Sequence, residues 1–126
     1  MKTRPLFTVT ALIEVGAGLA LALAPSVATS LIFGTRIETA TERALAALAG
    51  SALLALGTAC SLARNLQGLM AYSLLAAMLV YNTGAVAVLA GAGLVSGLKG
   101  PVLWPAILLH AALAFWCIAC LRIRQA

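Results

Sequence analysis

The chain has 126 residues, of which 63% are hydrophobic and 9% are charged, and its formal net charge is +5. Soluble domains carry roughly 45–50% apolar and about 25% charged residues, so this composition excludes a soluble globular fold. The basic residues stand at the ends of apolar runs and form no stripe. This arrangement excludes a nucleic-acid interface and is typical of membrane topology signals.

Four apolar runs recur along the chain, over residues 6–24, 43–63, 69–90 and 102–121. Each reaches about 20 residues, the length of a helix that crosses a hydrocarbon core roughly 30 Å thick. In lipid the backbone has to satisfy its own hydrogen bonds, so each run is predicted to be helical. The expected fold class is all-α, a polytopic membrane protein with a four-transmembrane-helix bundle. Residues 1–126 are expected to form a single integral membrane domain.

The basic residues also predict the orientation of the bundle. With four spans, the side that holds both termini carries five of them: Lys2, Arg4, Arg64, Arg122 and Arg124. The opposite side carries three: Arg36, Arg43 and Lys99. The positive-inside rule then predicts that both termini lie in the cytoplasm, in a bacterial inner membrane. The first run is longer than a signal-peptide core, so we expect it to be retained.

Two short patterns lie between the first two runs. Pro25 ends the first helix, and residues 26–34 (SVATSLIFG) have an N-capping serine in front and a glycine behind, which predicts a short interfacial helix. Two roles stay open for this helix, a lid over a site between the long helices or an ordinary connector. Thr39 and Glu42 have the spacing of a capping box and open the second long helix.

The second long helix is rich in small residues. Every fourth position carries one: Ala47, Ser51, Ala55 and Ala59. Gly50 and Gly57 lie on a neighbouring stripe. Small residues let helix backbones approach closely in lipid, where no hydrophobic driving force remains between helices. We therefore expect this helix to be central to the packing of the bundle.

Four polar side chains fall at one depth in the predicted bundle: Glu14, Tyr81, Asn82 and His110. At about 1.5 Å per residue they lie roughly 12 to 20 Å from the cytoplasmic edge. Glu14 and His110 each share a helix face with small residues, which is typical of a face buried against neighbouring helices. An ionisable group there costs at least about 2.5–3.5 kcal/mol on insertion scales and indicates a functional site. These four are the candidate ligand-binding or proton-binding residues.

Within this polar layer we predict that Glu14 pairs with His110, as an ion pair or by sharing one proton. The Tyr81 hydroxyl and the Asn82 amide would complete the network. The alternative is that the network only fixes the register of the helices. Interhelical hydrogen bonds in membranes average only about 0.6 kcal/mol, a small gain for a buried carboxylate, which favours the functional interpretation.

The three cysteines, Cys60, Cys117 and Cys120, fall near the predicted cytoplasmic edge. Cysteines three residues apart can share a soft metal such as Cu(I). Buried thiols also serve as small hydrophobic residues. We interpret all three as core residues and predict neither a metal site nor a cofactor.

Two resemblances follow from these residues. The segment Ile13-Glu14-Val15-Gly16 resembles part of the first helix of the small multidrug resistance transporters, in which one membrane-embedded glutamate exchanges protons for a cationic drug. This resemblance covers only the first helix and implies that role for Glu14. A second likeness covers nearly the whole chain, which resembles a group of small bacterial four-helix membrane proteins with no assigned activity. Its motifs are Glu14, Leu62-Ala63-Arg64, Tyr81-Asn82, Leu103-Trp104-Pro105, Leu109-His110 and Trp116-Cys117.

These patterns predict a small inner-membrane protein that is not an enzyme, because they include no nucleophile–base pair and no metal signature. The leading hypothesis is a buried polar site that binds a small ligand or protons. The alternatives are a proton-coupled exporter of small cations and a structural or accessory subunit of a larger membrane complex. The expected partners are the lipid bilayer, a small ligand, and a second copy or a larger membrane complex, with no nucleic acid.

Overall fold

The computed structural model describes the backbone of residues 3–125 and the side chains of residues 3–123. This part of the chain folds into five helices: α1 Thr3–Leu23, α2 Pro25–Phe33, α3 Ala40–Ala63, α4 Gly68–Leu94 and α5 Leu103–Gln125. Four of them, α1, α3, α4 and α5, are long and apolar enough to cross a membrane. The predicted all-α class with four spanning helices and one additional short helix is confirmed.

The start of α2 differs from the prediction by one residue. Ala24 is the N-cap, Pro25 occupies the first turn, and the predicted cap Ser26 lies inside the helix. Proline suits the first helical position because its ring presets the backbone angle and its missing N–H would have had no partner there. The Ser26 carbonyl instead accepts a hydrogen bond of 2.7 Å from the Ser30 hydroxyl. At the other end Gly34 caps the helix as predicted, with φ 75° in the left-handed region.

The capping box that opens α3 is confirmed. The Thr39 hydroxyl accepts a hydrogen bond of 3.1 Å from the backbone N–H of Glu42. In return the Glu42 carboxylate accepts bonds of 2.8 Å from the Thr39 N–H and 2.9 Å from the Glu38 N–H. These bonds satisfy backbone donors that the first turn of a helix otherwise leaves without partners. The start of α3 is therefore sharply defined.

The long helices associate as two pairs, α1 with α3 and α4 with α5, and contacts between the pairs are few. Glycines bring α1 and α3 together. A Cβ atom on Gly50 would lie 2.8 Å from the Gly18 carbonyl oxygen, and one on Gly57 would lie 2.8 Å from Val15 Cγ2. The backbones of α1 and α3 approach closely because these glycines have no side chains.

The stripe of small residues on α3 makes a different surface from the glycines. Ala47 is half-buried, whereas Ser51, Ala55 and Ala59 are exposed. The Ser51 hydroxyl donates to the Ala47 carbonyl within its own helix. In the single chain the glycine stripe therefore supports the packing of α3, and the alanine–serine stripe stays on the outer surface.

The two pairs join at the end of the bundle where α1 begins and α5 ends, which we call the terminal end. The cluster that joins them contains Leu6, Phe7, Ala11, Cys60, Ala63, Ala71, Leu75, Met78, Leu113, Cys117 and Cys120. These side chains come from all four long helices and leave little surface exposed. The terminal end is therefore closed by a packed apolar core.

At the opposite end, which we call the α2 end, a backbone connection joins the two pairs. The backbone N–H of Lys99 donates to the Phe33 carbonyl at 3.2 Å, and that of Val102 donates to the Leu31 carbonyl at 2.9 Å. A Cβ on Gly100 would collide with the Ile32 carbonyl, so only glycine fits at this crossing. The segment before α5 is thereby tied to the end of α2.

Candidate functional site

A cavity of about 970 Å³ lies between the two helix pairs and is bounded on one side by α2. Most of its lining is apolar, with residues from all five helices. Glu14, Tyr81 and His110 line it at mid-bundle, and Thr29, Thr35, Arg36 and Glu42 line it towards the α2 end. The cavity exists because the pairs meet at the terminal end and contact each other little elsewhere. It reaches the predicted polar layer.

Glu14 projects from the buried face of α1 and is 1% exposed. Its Oε2 accepts a hydrogen bond of 3.0 Å from the Tyr81 hydroxyl. Its Oε1 is buried and has no hydrogen-bond partner. A buried carboxylate oxygen without a donor costs free energy, because the water that solvated it in the unfolded state has not been replaced.

His110 and Asn82 form a second polar pair. The His110 Nδ1 lies 2.8 Å from Asn82 Oδ1, and Asn82 Nδ2 donates to the Met78 carbonyl at 2.8 Å. Because the amide nitrogen is used by the Met78 carbonyl, Oδ1 faces the histidine and Nδ1 carries the proton. In the neutral imidazole Nε2 is then left as an acceptor.

The predicted direct pairing of Glu14 with His110 is wrong. Glu14 pairs with Tyr81, and His110 pairs with Asn82. Tyr81 also meets the histidine ring edge to face, with ring centroids 5.5 Å apart and an angle of 84°. Tyr81 and Asn82 are consecutive on α4, so their side chains point about 100° apart. One turns towards α1 and the other towards α5, and all four residues are linked in one layer.

Two further polar atoms in the described part of the bundle are buried without a partner, Thr10 Oγ1 and Trp116 Nε1. The sequence interpretation missed Thr10, although it lies one helical turn before Glu14 and shares its face. It also assigned Arg36 and Glu42 only to topology and capping, whereas both line the cavity. In the sequence, the closeness of Arg36 and Glu42 to the predicted short helix was the feature that could have indicated a place in the site.

The three cysteines are buried, and none forms a disulfide. Cys60 Sγ lies 3.4 Å from Met78 Sδ, a contact between two helices inside the core. Among the described residues no group of three or more His, Cys, Asp or Glu side chains is arranged to hold a metal ion. The thiols therefore contribute to the packed terminal end.

The arrangement offers an acceptor for a proton or a hydrogen bond in the cavity lining. Glu14 can accept a proton or a hydrogen bond at Oε1, and Tyr81 holds the other oxygen in place. Comparisons with protein-family models, with curated proteins and with solved structures find no match. The functional proposal therefore rests on the residues and the geometry of this chain.

Proposed function

We propose that this protein binds a small, largely apolar ligand or protons within the membrane, at the part of the cavity lined by Glu14, Tyr81 and His110. One observation carries the proposal: the Glu14 Oε1 is buried without a partner in the lining of a large apolar cavity. Leaving such an acceptor unsatisfied costs about 1–3 kcal/mol. A proton or a donor group that enters the cavity would recover that free energy.

Each residue of the layer has a distinct role in this proposal. Glu14 is the acceptor for the proton or the ligand. Tyr81 positions the carboxylate through its bond to Oε2. Asn82 fixes the histidine tautomer, so that the His110 Nε2 can take or return a proton. Ligand sites of this kind combine an apolar lining with a few placed polar groups.

A purely structural role for the layer fits these observations less well. A network that only fixes helix register has its donors and acceptors paired with one another, because unpaired ones weaken it. Here Glu14, a residue of the cavity lining, keeps one buried oxygen unpaired. The cavity and the unpaired oxygen occur at the same residue, which favours a site that binds a ligand or a proton.

Labelling of Glu14 with dicyclohexylcarbodiimide, an apolar reagent for carboxyl groups in membranes, tests this proposal. We expect mass spectrometry to find the modification at Glu14 in the wild-type chain. The Ala17→Phe variant should block it, because Ala17 lines the cavity one turn from Glu14. Ala20→Phe is the matched control, since Ala20 is on the same helix but exposed and outside the lining.

Equal labelling of Glu14 in Ala17→Phe and Ala20→Phe would contradict the proposal, because the cavity would then not be the route to the carboxylate. Glu38 serves as the internal reference, since it is exposed and lies outside the cavity lining. Glu14→Gln should lose the modification at this position and keep the fold, which assigns the signal to Glu14.

A proton-coupled exporter of small cations is the second candidate. Its support is the asymmetry of the bundle, which is closed by the apolar core at the terminal end and holds the cavity towards the α2 end. A carrier in one state of an alternating-access cycle has this form. In such a carrier Glu14 would bind a proton and a cation in turn, as its resemblance to the small multidrug resistance transporters implies.

The orientation of the bundle decides which compartment the α2 end faces. The excess of five basic residues over three on the terminal side supports an orientation in the inner membrane with both termini in the cytoplasm. A reporter that is active only in the cytoplasm should therefore be active when fused after Ala126. Activity of a periplasmic reporter alone at the same position would reverse the orientation.

A further inference from the structure

We infer that the ligand of this cavity is a neutral amphiphile from the bilayer, an apolar chain with one hydroxyl group that donates to Glu14 Oε1. This inference rests on the proposed function and adds the chemical class of the ligand. Three features of the cavity carry it: where it opens, what the free acceptor on Glu14 requires, and how long the cavity is.

The cavity opens towards the surface that lipid covers. Several residues belong both to its lining and to the exposed surface, among them Leu45 (61% exposed) on α3, and Val80 (74%) and Val88 (69%) on α4. By contrast, the lining residues on α1 are buried or half-buried. The opening is therefore bounded by α3 on one side and by α4 and α5 on the other, and it continues to the exposed lining residues Thr35, Arg36 and Glu42 at the α2 end. Since these helices span the membrane in our proposal, a molecule dissolved in the bilayer can enter from the side.

The head group has to supply a donor to the acceptor that Glu14 leaves free, Oε1. The Tyr81 hydroxyl already donates to Glu14 Oε2, and the His110 Nδ1–H is used by Asn82. A hydroxyl supplies the donor that Oε1 lacks and can also accept a bond in return. A carboxylate head would bring a second acceptor to Glu14, and a quaternary ammonium head has no donor at all. A neutral hydroxyl also enters an apolar cavity without the desolvation that a permanent charge requires.

The length of the cavity fits a chain. Along α3 its lining runs from Glu42 to Leu53, which is about 16 Å at 1.5 Å per residue. The volume of about 970 Å³ lies at the upper end of the range of about 300–1,000 Å³ for small-molecule sites. Apart from the mid-bundle layer, the charged lining residues, Arg36 and Glu42, lie towards the α2 end. The space between the two polar ends therefore suits an apolar chain.

Three photoreactive probes test the inference on the full chain in lipid nanodiscs. They share one diazirine-bearing alkyl chain and differ in the head group, which is a hydroxyl, a trimethylammonium or a carboxylate. We expect the hydroxyl probe to label cavity residues such as Leu45 and Val88. Leu62 (77% exposed) and Phe115 (73%) are the reference positions, because they face outward but do not line the cavity. Labelling of the cavity relative to these positions should exceed that of the other two probes.

Two variants at position 14 assign the contact. Glu14→Gln keeps a polar group that a hydroxyl can bond, so cavity labelling by the hydroxyl probe should persist. Glu14→Leu removes that group, and labelling should fall about tenfold, the effect of one hydrogen bond of about 1.4 kcal/mol in apolar surroundings. Reference labelling at Leu62 and Phe115 should not change in either variant, which excludes unfolding as the cause.

Preferential labelling by the trimethylammonium probe that disappears in Glu14→Gln would overturn the neutral class and favour the cation exporter, while the site at Glu14 would stand. Equal labelling of cavity and reference positions by all three probes would overturn the inference as well. If carbodiimide labelling of Glu14 were still blocked in Ala17→Phe, the proposed function would survive that result. If the hydroxyl probe showed no preference for the cavity and Ala17→Phe did not block carbodiimide labelling of Glu14, both proposals would be wrong.

Discussion

Replacing Gly50 with alanine is expected to lower the free energy of unfolding by about 1–3 kcal/mol, the usual effect of overpacking a tight contact. The added Cβ would lie 2.8 Å from the Gly18 carbonyl oxygen and 2.8 Å from the backbone nitrogen of Ala22. Backbone atoms cannot rotate away as the end of a side chain can, so α1 and α3 have to separate. Far-UV circular dichroism during unfolding in micelles of increasing sodium dodecyl sulfate content measures the loss.

The matched control is Gly16→Ala on α1. Apart from its chain neighbours and the backbone of its own helix turn, no atom lies within 4 Å of the Cβ that this change would add. Alanine favours a helix by about 0.8–1.0 kcal/mol over glycine, so this variant should be as stable as the wild type or more stable. Equal destabilisation by the two changes would show that glycine matters for backbone flexibility and not for the contact between α1 and α3.

The second large effect is expected at the polar layer. Tyr81→Phe leaves both oxygens of Glu14 without a hydrogen-bond donor, and Glu14→Leu leaves the Tyr81 hydroxyl without its acceptor. Each single change should destabilise the bundle by about 1–3 kcal/mol, because it leaves a polar group unsatisfied in the interior. The double variant should lose less than the sum, with a coupling energy of about 0.6–1.7 kcal/mol, the range for interhelical hydrogen bonds in membrane proteins. Unfolding of the four chains in detergent gives this energy directly.

A parallel cycle with Glu14→Leu and His110→Leu distinguishes the observed pairing from the predicted one. The structure joins these two residues only through Tyr81, so their coupling should be smaller than that of Glu14 with Tyr81. A larger coupling between Glu14 and His110 would restore the pairing first predicted. Tyr81 would then not be the hydrogen-bond partner of Glu14.

Much of the fold was predictable because membrane helices follow from local composition. Runs of apolar residues give the helix positions, and Thr39 with Glu42 gives the start of α3 to the residue. The shared layer of Glu14 and His110 was also predictable, since depth depends only on the rise per residue along each helix. These features need no knowledge of how the helices are rotated against one another.

The pairing within the layer and the cavity beside it were not predictable in the same way. Tyr81 and Asn82 are neighbours on α4, and only the rotation of that helix decides which of them faces Glu14. The cavity depends on how far the two pairs spread from the terminal end, which the glycine contacts and the core determine jointly. The hydropathy pattern along the chain indicates neither the rotation of α4 nor the separation of the two helix pairs. The unpaired oxygen of Glu14 therefore emerged only from the structure.

The connection at the α2 end has a consequence for how the chain assembles. The carbonyls of Leu31 and Phe33 belong to the last turn of α2, which cannot bond them within the helix. Their donors, Val102 and Lys99, are synthesised more than sixty residues later. During synthesis from the N-terminus these two carbonyls therefore lack their intramolecular donors until the segment before α5 has been made. A neighbouring chain can offer the same donors in that interval, so an exchange of this segment between two copies would give a domain-swapped dimer that satisfies the same backbone bonds.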